Sequence, residues 1–174
     1  GMECIIDYTN SNIMYGSLYY GDVRKSTNGG NSFSSIAPSN NGSWETPYEL
    51  DKNDPNTIYI GYDEIQKSID GGNSWSQITN GETNGGKINE IGISKSNPDV
   101  IYFTDDANIF KTTNGGASWI QVNNNLPYLY ISYVVINPHD ENTVWVTLSG
   151  YTAGEKVYKS TDGGNNWVNI SGTL

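Results

Sequence analysis

The sequence has few of the residues from which nucleophilic and metal sites are most often built. It contains one cysteine, Cys4, one histidine, His139, and one arginine, Arg24, among 174 residues. A single cysteine excludes a disulfide within the chain, and its apolar neighbours Ile5 and Ile6 predict a small buried side chain rather than a nucleophile. His139 lies in an Asn-Pro-His-Asp segment that predicts a surface turn. Neither a histidine zinc site nor a Ser-His-Asp triad is therefore expected.

Positive charge is also scarce. Nine Lys and Arg residues accompany nineteen Asp and Glu residues, and the net charge is −10 at pH 7. Because no basic stripe is present to displace counterions from phosphate, we expect no nucleic-acid partner. No apolar run is long enough to span a bilayer, so membrane insertion is not expected. The aromatic fraction of 12% is high beside a hydrophobic fraction of 35%, which favours a β protein whose sheets pack through large side chains.

One eight-residue segment occurs four times, and we refer to each copy as a box. The boxes span residues 26–33, 68–75, 112–119 and 160–167. A lysine precedes each box, and successive lysines lie 42, 44 and 48 residues apart: Lys25, Lys67, Lys111 and Lys159. A period in this range is typical of a repeat architecture.

Each box predicts its own local structure. Asp/Asn-Gly-Gly between two β-rich runs indicates a hairpin turn, because glycine adopts positive φ at no steric cost. The Ser/Thr and Asp/Asn side chains can accept hydrogen bonds from the turn amides, and the final aromatic residue can pack on a neighbouring unit. The box positions predicted to be structural are Ser26, Asn28, Gly30, Phe33, Ser68, Asp70, Gly72, Trp75, Thr112, Asn114, Gly116, Trp119, Ser160, Asp162, Gly164 and Trp167.

The box pattern, Ser/Thr-x-Asp/Asn-x-Gly-x-Ser/Thr-Trp/Phe, resembles the Asp-box or BNR repeat of β-propellers. Similar repeats occur in sialidases, family 74 xyloglucanases, sortilin-type receptors and photosystem II assembly-factor-like propellers. The segment Asn-Asp-Pro-Asn-Thr-Ile-Tyr-Ile-Gly at residues 53–61 is most similar to the xyloglucanase and sortilin branch. The resemblance implies a propeller with its boxes on the periphery. It predicts fold more than function, since propellers host many activities.

The expected fold is all-β, with four-stranded antiparallel blades and no helix. We expect one segment over residues 1–174, with blades at approximately 1–38, 44–80, 87–124 and 130–172. Four consecutive blades arranged as an arc would expose an apolar face at each end. A partial propeller completed by missing chain or by a second copy is therefore the favoured arrangement, and a four-bladed ring is the alternative.

The boxes are expected to hold neither a metal nor a cofactor. Asp70 and Asp162 supply one carboxylate to each of two boxes, and Asn28 and Asn114 occupy the same position in the others. A calcium loop needs several carboxylates at alternating positions. The carboxylates are thus interpreted as parts of the turn.

Two catalytic interpretations follow from the resemblance. Sialidases hold their substrate with an arginine triad, which a chain with Arg24 alone does not contain. A xyloglucanase-type glycosidase needs two facing carboxylates. Glu3 and Glu90 occupy equivalent positions at the starts of first strands, so they are the candidate catalytic acids. The alternative is that both are solvated rim carboxylates.

Two functions remain open. The first is a non-catalytic binding, interaction or scaffold module of a secreted or cell-surface protein of bacterial type, with a glycan or a protein or peptide as ligand. Trp44 could stack on a sugar ring, and Glu45 and Tyr133 are the other candidate ligand-binding residues. The alternative is a fragment of a glycoside hydrolase whose catalytic acids lie partly outside this chain.

Overall fold

A computed structural model describes residues 2–39 and 41–174 and shows sixteen β-strands in this part of the chain. The strands form four antiparallel four-stranded sheets, and within each sheet the strands are ordered as in the chain. The first sheet contains β1 (Cys4–Ile6), β2 (Met14–Ser17), β3 (Val23–Ser26) and β4 (Ser34–Ser35). The second contains β5 (Tyr48–Leu50), β6 (Ile58–Gly61), β7 (Ile65–Ser68) and β8 (Ser76–Gln77).

The other two sheets follow the same plan. The third contains β9 (Glu90–Ile93), β10 (Ile101–Asp105), β11 (Asn108–Thr112) and β12 (Ile120–Gln121). The fourth contains β13 (Ile131–Asn137), β14 (Asp140–Leu148), β15 (Val157–Ser160) and β16 (Val168–Asn169). The predicted all-β class with four-stranded antiparallel sheets is confirmed. No helix in the described residues is long and apolar enough to cross a membrane.

The chain divides into two compact units. The first unit, which ends at Ile88, contains the first and second sheets, and the second unit begins at Asn89 and contains the third and fourth. The predicted single segment over residues 1–174 and its blade boundaries remain predictions.

Each unit has a core between its two sheets. Alternate residues of a strand point to opposite faces, so each sheet contributes every second side chain to this core. In the first unit the core residues are Tyr15, Val23, Tyr48, Leu50, Ile58, Ile60 and Tyr62. In the second unit they are Val100, Tyr102, Ile109, Val122, Ile131, Val134, Val144, Val146, Leu148, Tyr158 and Trp167.

The box turn is held by its own side chains. In the second box, Ser68 Oγ accepts hydrogen bonds from the amides of Gly72 (2.8 Å) and Asp70 (3.3 Å) and donates to Asp70 Oδ1 (2.8 Å). Asp70 Oδ1 also accepts from the amides of Asn73 and Ser74, at 3.0 and 2.9 Å. The turn amides therefore have partners without any help from another segment.

Asparagine reproduces this pattern in the third box. Asn114 Oδ1 accepts from Thr112 Oγ1 (2.8 Å) and from the amide of Ser118 (3.0 Å), while Asn114 Nδ2 donates to Ser118 Oγ (2.9 Å). The carboxylate and the carboxamide thus serve the same turn.

We expect Asp70→Asn to reduce stability at neutral pH and to flatten its dependence on pH in acid. Hydrogen bonds from Ser74 and Ser68 lower the pKa of Asp70 from 3.8 to about 2. A lowered folded-state pKa means that Asp70 stabilises the fold fully above pH 3.8, and that this contribution is lost as pH falls through about 2. Urea denaturation of both proteins between pH 2 and 7 measures the difference. Equal acid slopes for Asp70→Asn and the parent would contradict the prediction.

One detail differs from the sequence-based expectation. Cys4 is exposed rather than buried, because the side of β1 that carries Cys4 and Ile6 faces outward. The fourth strands are only two residues long. The amide of Ser74 donates to Asp70 within the box and so takes no part in the strand ladder. His139 lies exposed in the two-residue connection between β13 and β14.

Candidate binding site

Three aromatic side chains of the first unit pack against one another while remaining exposed to solvent. The Tyr19 and Trp44 rings are stacked, with centroids 5.5 Å apart and an interplanar angle of 13°. Tyr20 meets Tyr19 at 82° and Trp44 at 89°, with centroids 5.5 and 5.6 Å apart. The exposed fractions of Tyr19, Tyr20 and Trp44 are 56%, 45% and 61%. We call these three residues the aromatic cluster.

The connection between β2 and β3 positions the two tyrosines. It forms a single 3-10 turn, Tyr19–Gly21, in which Tyr20 has a left-handed φ of 62°. The amide of Gly42 donates to the Tyr20 carbonyl (3.1 Å), and the Tyr62 hydroxyl donates to the carbonyls of Gly21 (3.0 Å) and Ser39 (2.9 Å). Burial raises the pKa of Tyr62, so its hydroxyl remains a donor. The turn is therefore anchored to the second sheet.

A short loop before β5 positions the tryptophan. Ser43 Oγ donates to the Glu45 carbonyl (2.6 Å), and Thr46 Oγ1 donates to the Ser43 carbonyl (2.9 Å). These two bonds close the loop on either side of Trp44. Hydrogen bonds thus fix both backbone segments that carry the aromatic cluster, the Tyr19–Gly21 turn and the loop around Trp44.

A cleft of about 400 Å³ lies beside the aromatic cluster. It is lined by Tyr19 and Tyr20, by Asp22 and Ser35, and by residues 37–39. Arg24 Nε and Nη2 donate to Asp22 Oδ2 at 2.9 and 2.8 Å, and Ser35 Oγ donates to Asp22 Oδ1 at 2.8 Å. The bonds from Arg24 hold the pKa of Asp22 below its usual range. The cleft therefore combines aromatic walls with one carboxylate, Asp22, that is held in place by Arg24 and Ser35.

This combination suits a ligand with an apolar face and polar edges. Aromatic faces contact flat or weakly polarised C–H surfaces, while Asp22 and Ser35 offer polar groups to the hydroxyl or amide groups of a ligand. Apolar walls with a few well-placed polar groups are typical of small-ligand sites.

Of the predicted site residues, Trp44 belongs to the aromatic cluster, and Glu45 follows it in the same loop. The pKa of Glu3 is raised. The largest cause is partial desolvation, the Glu49 and Glu45 carboxylates add to it, and Lys52 opposes the shift. Glu49 also forms an ion pair with Lys52, with Lys52 Nζ 2.6 Å from Glu49 Oε2. The structure thus brings Glu3 within electrostatic range of Glu45.

The remaining predicted residues lie in the second unit. Glu90 begins β9 opposite Thr104, and Tyr133 is an exposed residue of β13 opposite Thr147, next to a register shift. Near Glu90, the buried atoms Asn89 Nδ2 and Thr104 Oγ1 have no hydrogen-bond partner among the described residues. The pairing of Glu3 with Glu90 remains a prediction, since the two belong to different units.

Sequence reasoning missed Tyr19, Tyr20 and Asp22. A usable signal was the length of the connection between second and third strands, which is long in the first and fourth repeats (residues 18–22 and 149–156) and short in the other two (62–64 and 106–107). Such an insertion in a repeat falls on a surface loop, where binding residues concentrate.

The sequence matches the Sortilin-Vps10 family model, described as sortilin, neurotensin receptor 3, over residues 63–173. No curated protein matches it. Among solved structures, it is similar to an ancestral GH74 enzyme at 24% identity, with a TM-score of 0.74, over 98% of this chain and 24% of that one. It is similar to the GH74 xyloglucanase from Xanthomonas campestris at 14% identity, with a TM-score of 0.74, over 98% of this chain and 30% of that one.

A further similar structure is YCF48 bound to D1 peptide, at 12% identity and a TM-score of 0.53, over 96% of this chain and 65% of that one. These structures are propellers, so the predicted BNR-type propeller fold is confirmed, with the chain corresponding to part of a propeller. The chain spans less than a third of the length of either GH74 enzyme.

Proposed function

The chain belongs to the Sortilin-Vps10 family, and from this premise we propose that it is a non-catalytic binding module whose ligand occupies the cleft beside the aromatic cluster. The observation that carries the proposal is the fixed arrangement of Tyr19, Tyr20 and Trp44 in solvent. Exposed aromatic groups of this size are uncommon on a surface with no partner, and they mark binding sites. We place the module in a secreted or cell-surface protein.

A neutral glycan is the ligand that this chemistry fits best. One face of a sugar ring carries C–H groups that pack on an aromatic ring, and its hydroxyls can donate hydrogen bonds to a carboxylate such as Asp22. An anionic ligand is disfavoured, because Arg24 is already paired with Asp22 and the chain carries a net charge of −10. A peptide is the other ligand class to be tested, and YCF48 is similar in fold and binds D1 peptide.

The cleft favours binding over hydrolysis. A glycosidase places two carboxyl groups on opposite sides of the bond to be cut, one of them protonated. Asp22 is the acidic residue among those that line the cleft, and Arg24 and Ser35 hold it ionised and hydrogen-bonded. It is therefore suited to positioning a hydroxyl rather than to donating a proton.

We expect Tyr19→Ala, which removes a wall of the cleft, and Trp44→Ala, which removes the ring stacked on Tyr19, each to weaken glycan binding about tenfold, or by about 1.4 kcal/mol. Isothermal titration calorimetry with β-glucan and xyloglucan oligosaccharides measures the effect, with a proline-rich peptide as the alternative ligand. Tyr128→Ala is the matched control: Tyr128 is also a highly exposed tyrosine, but it lies in the other unit. Unchanged glycan affinity in Trp44→Ala, or binding of the peptide alone, would contradict the glycan proposal.

The second candidate is a fragment of a glycoside hydrolase. The raised pKa of Glu3, caused by desolvation and by Glu49 and Glu45, is the property expected of a general acid. If this candidate is correct, the enzyme of which the chain is a part hydrolyses xyloglucan or β-glucan, and Glu3→Gln or Glu90→Gln in that enzyme removes the activity. Binding of these glycans without release of reducing ends favours the binding module.

A further inference from the structure

An asparagine followed by a glycine is a chemically labile pair. The main-chain nitrogen of the glycine can attack Cγ of the asparagine, because glycine has no side chain to hinder the approach. The reaction requires a glycine amide that can lose its proton and an asparagine that can turn towards it. The chain contains five such pairs, which begin at Asn28, Asn41, Asn80, Asn84 and Asn114. The hydrogen bonds around each pair therefore decide which of them can react in the folded protein.

Two of the pairs lie in box turns, where both reacting groups are held. Asn28 Oδ1 accepts hydrogen bonds from Ser26 Oγ and from the amide of Ser32, both at 3.0 Å, and Asn28 Nδ2 donates to Ser32 Oγ (2.8 Å). The amide of Gly29 donates to the Asn12 carbonyl (3.0 Å). The third box repeats both sets of bonds. Attack in either box would require several of these bonds to break first.

In two more pairs the glycine amide is the donor of a hydrogen bond. The amide of Gly42 donates to the Tyr20 carbonyl (3.1 Å), and the amide of Gly81 donates to Glu64 Oε1 (2.7 Å). An amide nitrogen that donates to an oxygen atom is harder to deprotonate and is held in place. Both glycines are thus protected as nucleophiles.

A second bond restrains the asparagine of each of these two pairs. Lys87 Nζ donates to the Asn41 carbonyl (2.6 Å), and the amide of Asn80 donates to Glu82 Oε2. Attack requires rotation about the Cα–C bond of the asparagine, and both of these bonds oppose that rotation. Each pair must therefore lose at least two hydrogen bonds before it can react.

The remaining pair, Asn84-Gly85, lies in the loop between β8 and β9 and has fewer restraints. Within residues 2–39 and 41–174, the Gly85 amide has no hydrogen-bond acceptor and the Asn84 side chain has no hydrogen-bond partner. Both residues are exposed. Apart from its chain neighbours, no described atom lies within 4 Å of the position that a Gly85 Cβ would occupy. Solvent therefore reaches both reacting groups.

The backbone of this pair forms a tight turn. Asn84 and Gly85 have left-handed φ values of 51° and 85°, as the two central residues of a type I′ turn do. The amide of Gly86 donates to the Thr83 carbonyl across the turn (2.9 Å). Among the described residues this is the one bond that spans the pair, so rotation at Asn84 breaks one bond where the other pairs must lose at least two.

We propose that Asn84 is a modification site, which converts to aspartate and isoaspartate without an enzyme. Hydroxide takes the amide proton of Gly85, the Gly85 nitrogen bonds to Asn84 Cγ, and the Cγ–Nδ2 bond breaks. Nδ2 takes a proton from water and leaves as ammonia. Water then opens the cyclic imide: addition at Cγ gives aspartate at position 84, and addition at the main-chain carbonyl gives isoaspartate. No oxidant or reductant takes part.

The two products should differ in their effect on the loop. Both add a negative charge to a loop that already carries Glu82 and bonds to Glu64. Isoaspartate also inserts a methylene into the main chain between Thr83 and Gly86, so the hydrogen bond that closes the turn is lost. The conversion does not depend on ligand binding in the cleft.

Incubation of the full chain in mildly alkaline buffer tests the proposal. Peptide mapping with electron-transfer fragmentation then assigns aspartate and isoaspartate to individual positions. We expect conversion at Asn84 to be about fivefold or more faster than at each of the other four asparagines, because they must lose at least one hydrogen bond more. In concentrated urea, where the bonds of the fold are absent, the five rates should approach one another. Equal rates at Asn84 and Asn80 in the folded protein overturn the proposal, and so does an advantage of Asn84 that persists in urea.

Two variants test the physical cause. Glu64→Ala frees the Gly81 amide, so conversion at Asn80 should rise about fivefold while Asn84 keeps its rate. Asn84→Gln is the matched control: it retains a carboxamide, but attack would have to form a larger ring, so conversion at this position should cease and the other four rates should stay unchanged. Circular dichroism verifies that both variants are folded. An unchanged rate at Asn80 in Glu64→Ala would contradict protection by the glycine amide bond.

Discussion

Replacing Trp167 by alanine is expected to destabilise the second unit by about 3–5 kcal/mol, the range for removing a buried aromatic side chain. Trp167 is buried in the core of that unit, among Tyr102, Val122 and Val144. The substitution leaves a cavity between the third and fourth sheets. It also leaves the Val122 carbonyl without its indole donor, which adds to the loss.

Two further variants separate these causes. Trp167→Phe removes the indole N–H while keeping most of the ring, so it should cost only about 1 kcal/mol. Phe33→Ala removes the aromatic residue of the first box, which is half-exposed, and should cost less than about 1 kcal/mol. Urea denaturation followed by far-ultraviolet circular dichroism measures all three. Equal losses for Trp167→Ala and Phe33→Ala would show that the box aromatic contributes through its own hairpin and not through the adjoining sheet.

The sequence predicts the sheets well because the information that defines each hairpin is local. Within the second box, Ser68 and Asp70 bond to amides no more than four residues away. Such bonds form from a short segment, whatever surrounds it. Four boxes in phase therefore give the number of sheets, the order of strands within each sheet and the antiparallel pairing.

Which face of a strand is buried depends on residues that are distant in the sequence, so the local sequence does not specify it. The apolar run around Cys4 predicts a buried side chain, yet the side of β1 that carries Cys4 and Ile6 is exposed. The equivalent residues of the second repeat, Tyr48 and Leu50, are buried. The same pattern thus has opposite burial in two repeats, according to what packs on it.

The candidate site was only partly predictable for a related reason. The sequence indicates Trp44 as a residue that could stack on a sugar ring. Its partners Tyr19 and Tyr20 lie in another connection of the first unit, and the contact depends on how the second sheet anchors the turn through Tyr62. Contacts between loops of different repeats do not follow the period of the repeat, so the repeat pattern could not predict them.

The second large effect is expected at the Gly-Gly turn of the fourth box. Gly164 has a φ of +92°, and a Cβ there would lie 2.9 Å from Val122 Cγ2. Gly164→Ala combines the strain of a left-handed residue, about 1 kcal/mol, with overpacking of a buried junction, about 1–3 kcal/mol. We expect a loss of about 2–4 kcal/mol in the free energy of unfolding, measured by urea denaturation.

Gly81→Ala separates strain from collision. Gly81 has a similar φ of +84°, but no atom lies within 4 Å of the position its Cβ would occupy. This variant should lose only the conformational part, about 1 kcal/mol. A further double variant, Gly164→Ala with Val122→Ala, should lose less than the two single variants combined, because removing the Val122 methyl groups makes room for the new Cβ. Strict additivity in that pair, or equal losses for Gly164→Ala and Gly81→Ala, would mean that backbone strain alone requires glycine at position 164 and that the contact with Val122 does not.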